Sequence, residues 1–312
     1  MATKRHADRR LPPFVPAARW SALVALAVGL VLALVAGPPV AEASERGNRV
    51  EFTVTVESPD GIDDDDLRAR TRRNVAKEVR DRIAKRLDAI EIKHYELEVT
   101  EGYGVLVTVY GDHSPEAIRG AVIPSGRFEL RPVLVDASPW LEVAPELPEG
   151  VEFYHEPGSL ETNNFFLFSP SPAPLHRAIG LLGGDSEIYV FPHDDGWRTL
   201  NLGPALATGD DVGDVEIERG PTGMPYVTVS LSSGAAQRMR GEVRGGGVRH
   251  LAVVLDGEVV AVESFSSRSR AEVLQLDPPD HLRSMSARGD WAVQVAGRMA
   301  ATIPVQLGEY EE

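Results

Sequence analysis

The stretch "RHLAVVLDGEVVAV", residues 249–262, constrains the fold more than any other passage of the chain. Two apolar runs, Leu251–Leu255 and Val259–Val262, flank a single Asp256-Gly257 pair. Asp-Gly favours a two-residue type I′ turn, because both central residues of that turn need positive φ. The runs are apolar at successive rather than alternate positions. Both faces of the resulting hairpin must therefore be covered, which makes it a central element. An acid at such a tip is expected to be a solvated turn residue.

The N-terminal third carries cleaner periodicities. "RVEFTVTVES" alternates apolar and polar residues at Val50, Phe52, Val54 and Val56, a half-buried strand. "PDGIDDDD" supplies turn and N-cap chemistry for a helix over 64–89, with a stripe at Leu67, Val75, Val79, Ile83 and Leu87 that skips one step at Thr71. "YELEVTE" and "GVLVTVYG" read as two strands joined around Glu101-Gly102. Ser114 then caps a short helix with Pro115 at its first position, Pro124-Ser125-Gly126 ends it, and "RFELRPVLV" is a further strand. The order is β-α-β-β-α-β, the ferredoxin-like pattern.

Residues 136 to about 205 are irregular. "FSPSPAPL" reads as an extended linker, "NNFFLF" as a strand, and "EIYVFPHDDGWRTLNL" as a hairpin around Asp195-Gly196. Past Gly209 the pattern sharpens again: "PYVTVSL" a strand, "SSGAAQRMRGEV" a helix capped at Ser232 or Ser233, then the central hairpin, "EVLQL" a strand, "PPDHLRSMSA" a helix start and "ATIPVQL" a closing strand. Residues 290–300 satisfy both periods, with Trp291, Val293 and Val295 alternating and Trp291, Val295 and Met299 at helical spacing. Taken as helix, they make the second half a repeat of β-α-β-β-α-β. The fold class expected is α+β.

Targeting and charge narrow the function classes. Lys4, Arg5, Arg9, Arg10 and Arg19 precede the apolar run "SALVALAVGLVLALVAG", Pro38-Pro39 breaks it, and Ala41 and Ala43 have the spacing that signal peptidase reads. Residues 1–43 are expected to be a signal peptide or, with residues 20–41 retained, an N-terminal membrane anchor. Either outcome places the body outside the cytoplasm, and membrane association is expected only through this segment. Residues 44–312 hold 27 basic and 45 acidic side chains, a net charge of −18, which repels nucleic acid and anionic lipid. The chain has no cysteine, which excludes disulfides, a thiol nucleophile, a lipoprotein anchor and Cys-based metal sites.

No constellation assigns a catalytic, cofactor-binding or metal-ligating residue, so none is expected and the chain reads as non-enzymatic. "DGIDDDD" lacks the alternation, central Gly and distal Glu of a calcium loop. His155, His176 and His193 have no ligand spacing, and "PHDDG", with Asp194 and Asp195, reads as a turn. "RGGGVRH" falls between a helix and a strand, where no crown of N–H groups forms. The helix over 67–87 carries Arg68, Arg70, Arg72, Arg73, Lys77, Arg80, Arg82, Lys85 and Arg86 against Glu78 and Asp81. It reads as internal charge compensation in an acidic body, or as a basic face toward anionic headgroups or an acidic partner.

Several segments resemble, in order, the first large periplasmic domain of SecD: "LATGDDVGD", "GMPYVTVSLSSGAAQRM", "HLAVVLDGEVVAV" and "ATIPVQL", with "RIAKRLDAIEIKHYELEV", "GVLVTVYG" and "PSGRFELRPVL" upstream. The resemblance covers about residues 75–312. It implies a ferredoxin-like base over 44–135, an insertion with short strands over 136–205 and a second α+β head module over 206–312. It also implies a bacterial envelope protein on the periplasmic side that acts in protein translocation, with unfolded or translocating polypeptide and the Sec membrane complex as partners. Two departures stand out. Ala261-Val262-Glu263 follows the hairpin turn where the family usually has Ser-Ala-Pro, and Ile90-Glu91 stands at a family Gly. No second apolar span occurs before Glu312, so the family's later transmembrane helices, with their proton-coupling groups, are expected to be lacking. Extended chains would be held by edge pairing and by the insertion's Phe165, Phe166, Phe168, Tyr189 and Trp197. The alternative is a structural or ligand-binding envelope protein that kept the fold without an export role.

Overall fold

The computed structural model describes residues 48–56, 64–134, 140–141, 144–157, 163–182, 187–193, 196–243, 248–303 and 307–310. The expected leader, residues 1–43, the acids at 60–63 and the turn residues Asp194 and Asp195 lie outside them. Among the described residues, no helix is long and apolar enough to cross a membrane.

The fold is α+β with antiparallel sheets. The first sheet has the order β15-β1-β3-β2, from β1 (Arg49–Val56), β2 (Tyr95–Val99), β3 (Val105–Tyr110) and the C-terminal β15 (Leu307–Tyr310). Its apolar pairs lie directly opposite one another: Val50 with Val109, Phe52 with Val107, Val54 with Val105. They face helix α1 (Asp65–Ala89), where Val79, Ile83 and Leu87 are fully buried. Each such side chain contributes about 1.5–3 kcal/mol on leaving water. Asp64 caps α1, its carboxylate accepting from the Leu67 N–H at 2.9 Å. Leu67 itself is 55% exposed, so the stripe begins at Val75 rather than at Leu67.

Helix α2 (Pro115–Val122) starts as expected, with the Ser114 hydroxyl accepting from the Ala117 N–H at 3.2 Å. The next strand, β4 (Phe128–Leu134), does not return to the first sheet. It enters an eight-stranded sheet of order β13-β12-β4-β8-β6-β5, with β7 paired to β8 and β9 paired to β4. The members are β5 (Glu152–Pro157), β6 (Asn163–Ser169), β7 (Ile188–His193), β8 (Gly196–Leu202), β9 (Ala207–Thr208), β12 (Val248–Leu255) and β13 (Glu258–Ser266). The fourth place beside β1 goes to β15 instead, which follows helix α5 (Met285–Ala300). The "ATIPVQL" strand therefore lies further along than expected: residues 301–303 are not strand, and residues 304–306 are outside the described set.

The second β-α-β-β-α-β run likewise does not build one sheet. β10 (Val212–Arg219), β11 (Pro225–Leu231) and β14 (Val273–Leu276) form a three-stranded sheet, whereas the hairpin β12–β13 pairs with β4. The doubly apolar hairpin explains the division. Leu251, Val253 and Leu255 join the main core on one face, and Ala252 and Val254 join a second cluster with Leu200 and Leu202 on the other. "FSPSPAPL" is not a linker. It ends β6 and opens helix α3 (Pro172–Leu181), because proline at the first helical turn lacks only an N–H that would be unbonded there. Leu175 and Ala178 bury that helix against Trp140 and Leu167. Helix α4 (Ser233–Glu242) is capped by Ser232.

Candidate functional site

The Asp256-Gly257 tip divides two environments. Its backbone is as the sequence requires, with φ of 53° at Asp256 and 83° at Gly257. The Asp256 carboxylate is only partly solvated, contrary to expectation. It accepts from the Ser125 hydroxyl, from the Arg127 N–H at 2.9 Å, and from the Arg298 guanidinium at 2.8 and 3.1 Å. Arg298 also donates to the Leu255 carbonyl at 3.0 Å, and the Asp256 N–H donates to the Arg127 carbonyl at 2.9 Å. Burial pushes the Asp256 carboxyl up, but these donors and the Arg298 charge outweigh it and hold it below the ordinary carboxylate range. The hairpin tip is thus fastened to the 125–127 loop and to the end of α5.

Beside this fastening lies Arg86, one of the nine basic residues counted on α1 and the one that is fully buried. Its guanidinium donates to the carbonyls of Ala301 (2.8 Å), Ala121 (3.2 Å), Val122 (2.8 Å), Pro124 (2.5 Å) and Ser125 (2.7 Å). Those oxygens belong to the C-terminal ends of α2 and α5 and to the loop after α2. A cation there satisfies orphan carbonyls and meets the negative ends of two helix dipoles. Burial brings Arg86 down to about 9, with Asp256 opposing and Arg298 adding to the shift, so it stays charged at neutral pH. Gly126 (φ 74°) closes the joint, since a Cβ there would overlap the Arg298 carbonyl and the Arg86 guanidinium. The other α1 cations follow the compensation reading in part: Arg68 pairs with Asp65, Arg80 with Asp81 and Arg82 with Glu78.

On the other side of the tip, Gly257–Val260 form one wall of a groove of about 630 Å³. The opposite wall is Ile188–Pro192 of β7 with Trp197 of β8. Pro172 and His176 of α3, the Pro279–Leu282 loop and Trp291 of α5 complete it. Strands β7 and β13 approach one another here. Each is laddered along one edge, β7 to β8 and β13 to β12, and among the described residues no backbone hydrogen bond joins the two. A bulge opposite Val253 and Val254 leaves Val260 unpaired with β12 and on the groove wall. Tyr189 is fixed from behind. Buried Arg131 donates to its hydroxyl (3.1 Å), to Glu187 (2.6 Å) and to the Gly203 carbonyl (2.8 Å). The hydrogen bond from Arg131 holds the Glu187 carboxyl below its ordinary value.

Of the aromatic residues expected to contact a chain, the structure brings Tyr189 and Trp197 to the groove and keeps the three phenylalanines away. Phe166 is buried against Tyr154 and the His193 ring, Phe168 lies edge-on to Tyr154, and Phe165 stacks on Phe153 beside the Trp140 cluster. His176 lines the groove, whereas the side chain of His155 is outside the described residues. Reading the sequence missed Phe191, Glu258, Val260 and Trp291. Trp291 lies on α5, where the helix reading of residues 290–300 places it. No group of three or more His, Asp or Glu side chains that could hold a metal occurs among the described residues.

A smaller cavity of about 210 Å³ separates β13 from β14. Glu263, the residue at one of the departures in the sequence, lines it and accepts from the Asp277 N–H at 3.3 Å. Burial pushes Glu263 up to about 7. The Asp277 N–H opposes that shift and the Asp277 carboxylate adds to it.

No protein-family model matches the chain, and no curated protein does. Among solved structures, SecDF in its super-membrane-facing form is similar at 15% identity over 86% of this chain and 30% of that chain, with a TM-score of 0.47. A structure of SecDF described as a membrane component that enhances protein export matches at 15% identity over 84% of this chain and 98% of that chain, with a TM-score of 0.42. SecDF of Thermus thermophilus, a translocon-associated membrane protein, matches at 17% identity over 85% and 30%, with a TM-score of 0.30. The chain thus spans 30% of the length of the first and third of these. All three are SecDF structures.

Proposed function

We propose that this protein is a non-enzymatic polypeptide-binding module of SecD type, an accessory to protein export at the periplasmic side of a bacterial envelope. The observation that carries the reading is the groove between β7 and β13. Two strand edges without a mutual ladder border an apolar, aromatic-lined slot, which suits addition of an extended chain by backbone hydrogen bonds and side-chain pockets. The order of SecD-like segments in the sequence supports the same reading. So does the strand order β15-β1-β3-β2 with α1, which we take as a ferredoxin-like base whose fourth strand comes from the C-terminus. The β12–β13 hairpin and the β10-β11-β14 sheet are the head in this reading, and residues 136–205 are the insertion. Partners are unfolded or translocating polypeptide and the Sec membrane complex.

The chain has no cysteine, so Val260→Cys gives one reporter thiol on the groove wall. A photoreactive label on that thiol should crosslink an unfolded exported protein and spare the same protein once folded. Equal labelling of both, or of neither, contradicts the reading. A second reading, a small apolar ligand in the same groove, is favoured by the volume of about 630 Å³, which lies in the range of small-molecule pockets.

A further inference from the structure

We infer that the groove selects extended segments in which a lysine or arginine is set among apolar residues, the cation lodging against Trp197, Trp291 and Glu258. The inference rests on the polypeptide-binding reading and adds the chemistry of the chain to be held. Three observations converge on it. Trp197 and Trp291 line the groove as half-buried indoles, so each keeps part of its surface toward the cavity. Among the described residues, no guanidinium or ammonium lies over either indole, whereas the Tyr189 ring already carries Arg131 at 6.0 Å. Glu258 lines the same groove, is exposed, and among the described residues makes no ion pair with a lysine or arginine of this chain.

Among the described residues, the groove lining includes no Lys or Arg. A carboxylate on the same groove lining as these indole surfaces is therefore the charge complement of a side chain that the described lining does not itself supply. Indole is the best of the ring systems at attracting a cation, and lysine and arginine stems can lie on apolar walls while the charged head reaches the rim. Residues 44–312 carry a net charge of −18, so the long-range field also favours approach of a basic segment over an acidic one.

The test uses the full-length protein and three end-blocked seven-residue peptides, alternating Val and Thr around a central Lys, norleucine or Glu. Affinities are read by tryptophan fluorescence or calorimetry. The expected result is that the Lys peptide binds about fivefold tighter than the norleucine peptide, as an exposed cation–π contact with one ion pair implies, and the Glu peptide binds weakest. Glu258→Gln, at an exposed position, should bring the Lys peptide to within about twofold of norleucine. Glu96→Gln, on β2 and remote from the groove in sequence and sheet, should leave the preference intact. Equal binding of the Lys and norleucine peptides by the unaltered protein overturns this inference while the polypeptide-binding reading stands. A Lys preference that survives Glu258→Gln, or is lost equally in Glu96→Gln, overturns the assignment to this groove. Binding of none of the three peptides overturns the underlying reading as well.

Discussion

Asp256 shows how a turn residue becomes a structural joint. Positive φ at the tip was readable from Asp-Gly, but the partners of its carboxylate come from 42 to 131 residues away and leave no local signature. Asp256→Asn keeps a side chain that tolerates this backbone and removes the charge. It should cost about 1–2 kcal/mol in chemical unfolding at neutral pH. Because the folded carboxyl sits below its unfolded value near 3.8, that difference is fully present above the unfolded value. It should fade as pH falls through the lower, folded value. Glu263 has the opposite sign. Its folded value of about 7 lies above the ordinary 4.5, so the stability of the neutral form is complete below 4.5 and is lost as pH rises through about 7. Glu263→Gln should therefore match the unaltered protein in acid and exceed it by about 1 kcal/mol above pH 7, a figure reduced for solvent screening. A difference independent of pH would mean that Glu263 acts through packing alone.

At the scale of elements, α5 is the part on which the others converge. It packs on α1, α2, β10, β11 and β12. Its approach to α2 is close because Gly297 has no Cβ: one built there would lie 2.6 Å from the Ala121 Cβ. Gly297→Ala should raise helix propensity yet destabilise by about 1–3 kcal/mol through overpacking, measured as a shift in denaturant midpoint without a change in slope. An increase in stability would show that the two helices can separate at no cost. Most elements were legible where a single period ran unbroken, as in β1, α1, α2 and the hairpin. β10 was missed because among the described residues it is paired only with β11 and buries little besides Val212, Val215 and Ile217, so its acids and glycine mask the alternation. α3 was missed because three prolines suggest a linker unless two of them are placed in the first helical turn. Tyr189 and Trp197 were legible in the site as aromatics in the insertion. Glu258 and Trp291 were not, because they reach the groove from segments far along the chain.

At the scale of the whole molecule, neither expected β-α-β-β-α-β run closes a sheet by itself among the described residues. The strand expected to complete the first sheet joins the eight-stranded one, and β15 fills its place after α5. One core runs from β1 and α1 through α5 to the β12–β13 hairpin. The joint of Arg86, Gly126, Asp256 and Arg298 sits where these parts meet, and Gly257–Val260 of the same hairpin line the groove. The joint thus sets the position of one groove wall, β13, relative to α5, which supplies Trp291. In the proposed function, this groove takes up an extended chain along the edges of β7 and β13. Amide hydrogen exchange of the full-length protein, with and without a saturating unfolded polypeptide, tests it most directly. The expected result is new protection at amides of 188–191 and 258–262, with little change in β1–β3. Saturable binding that leaves both segments exchanging at their free rates would contradict it.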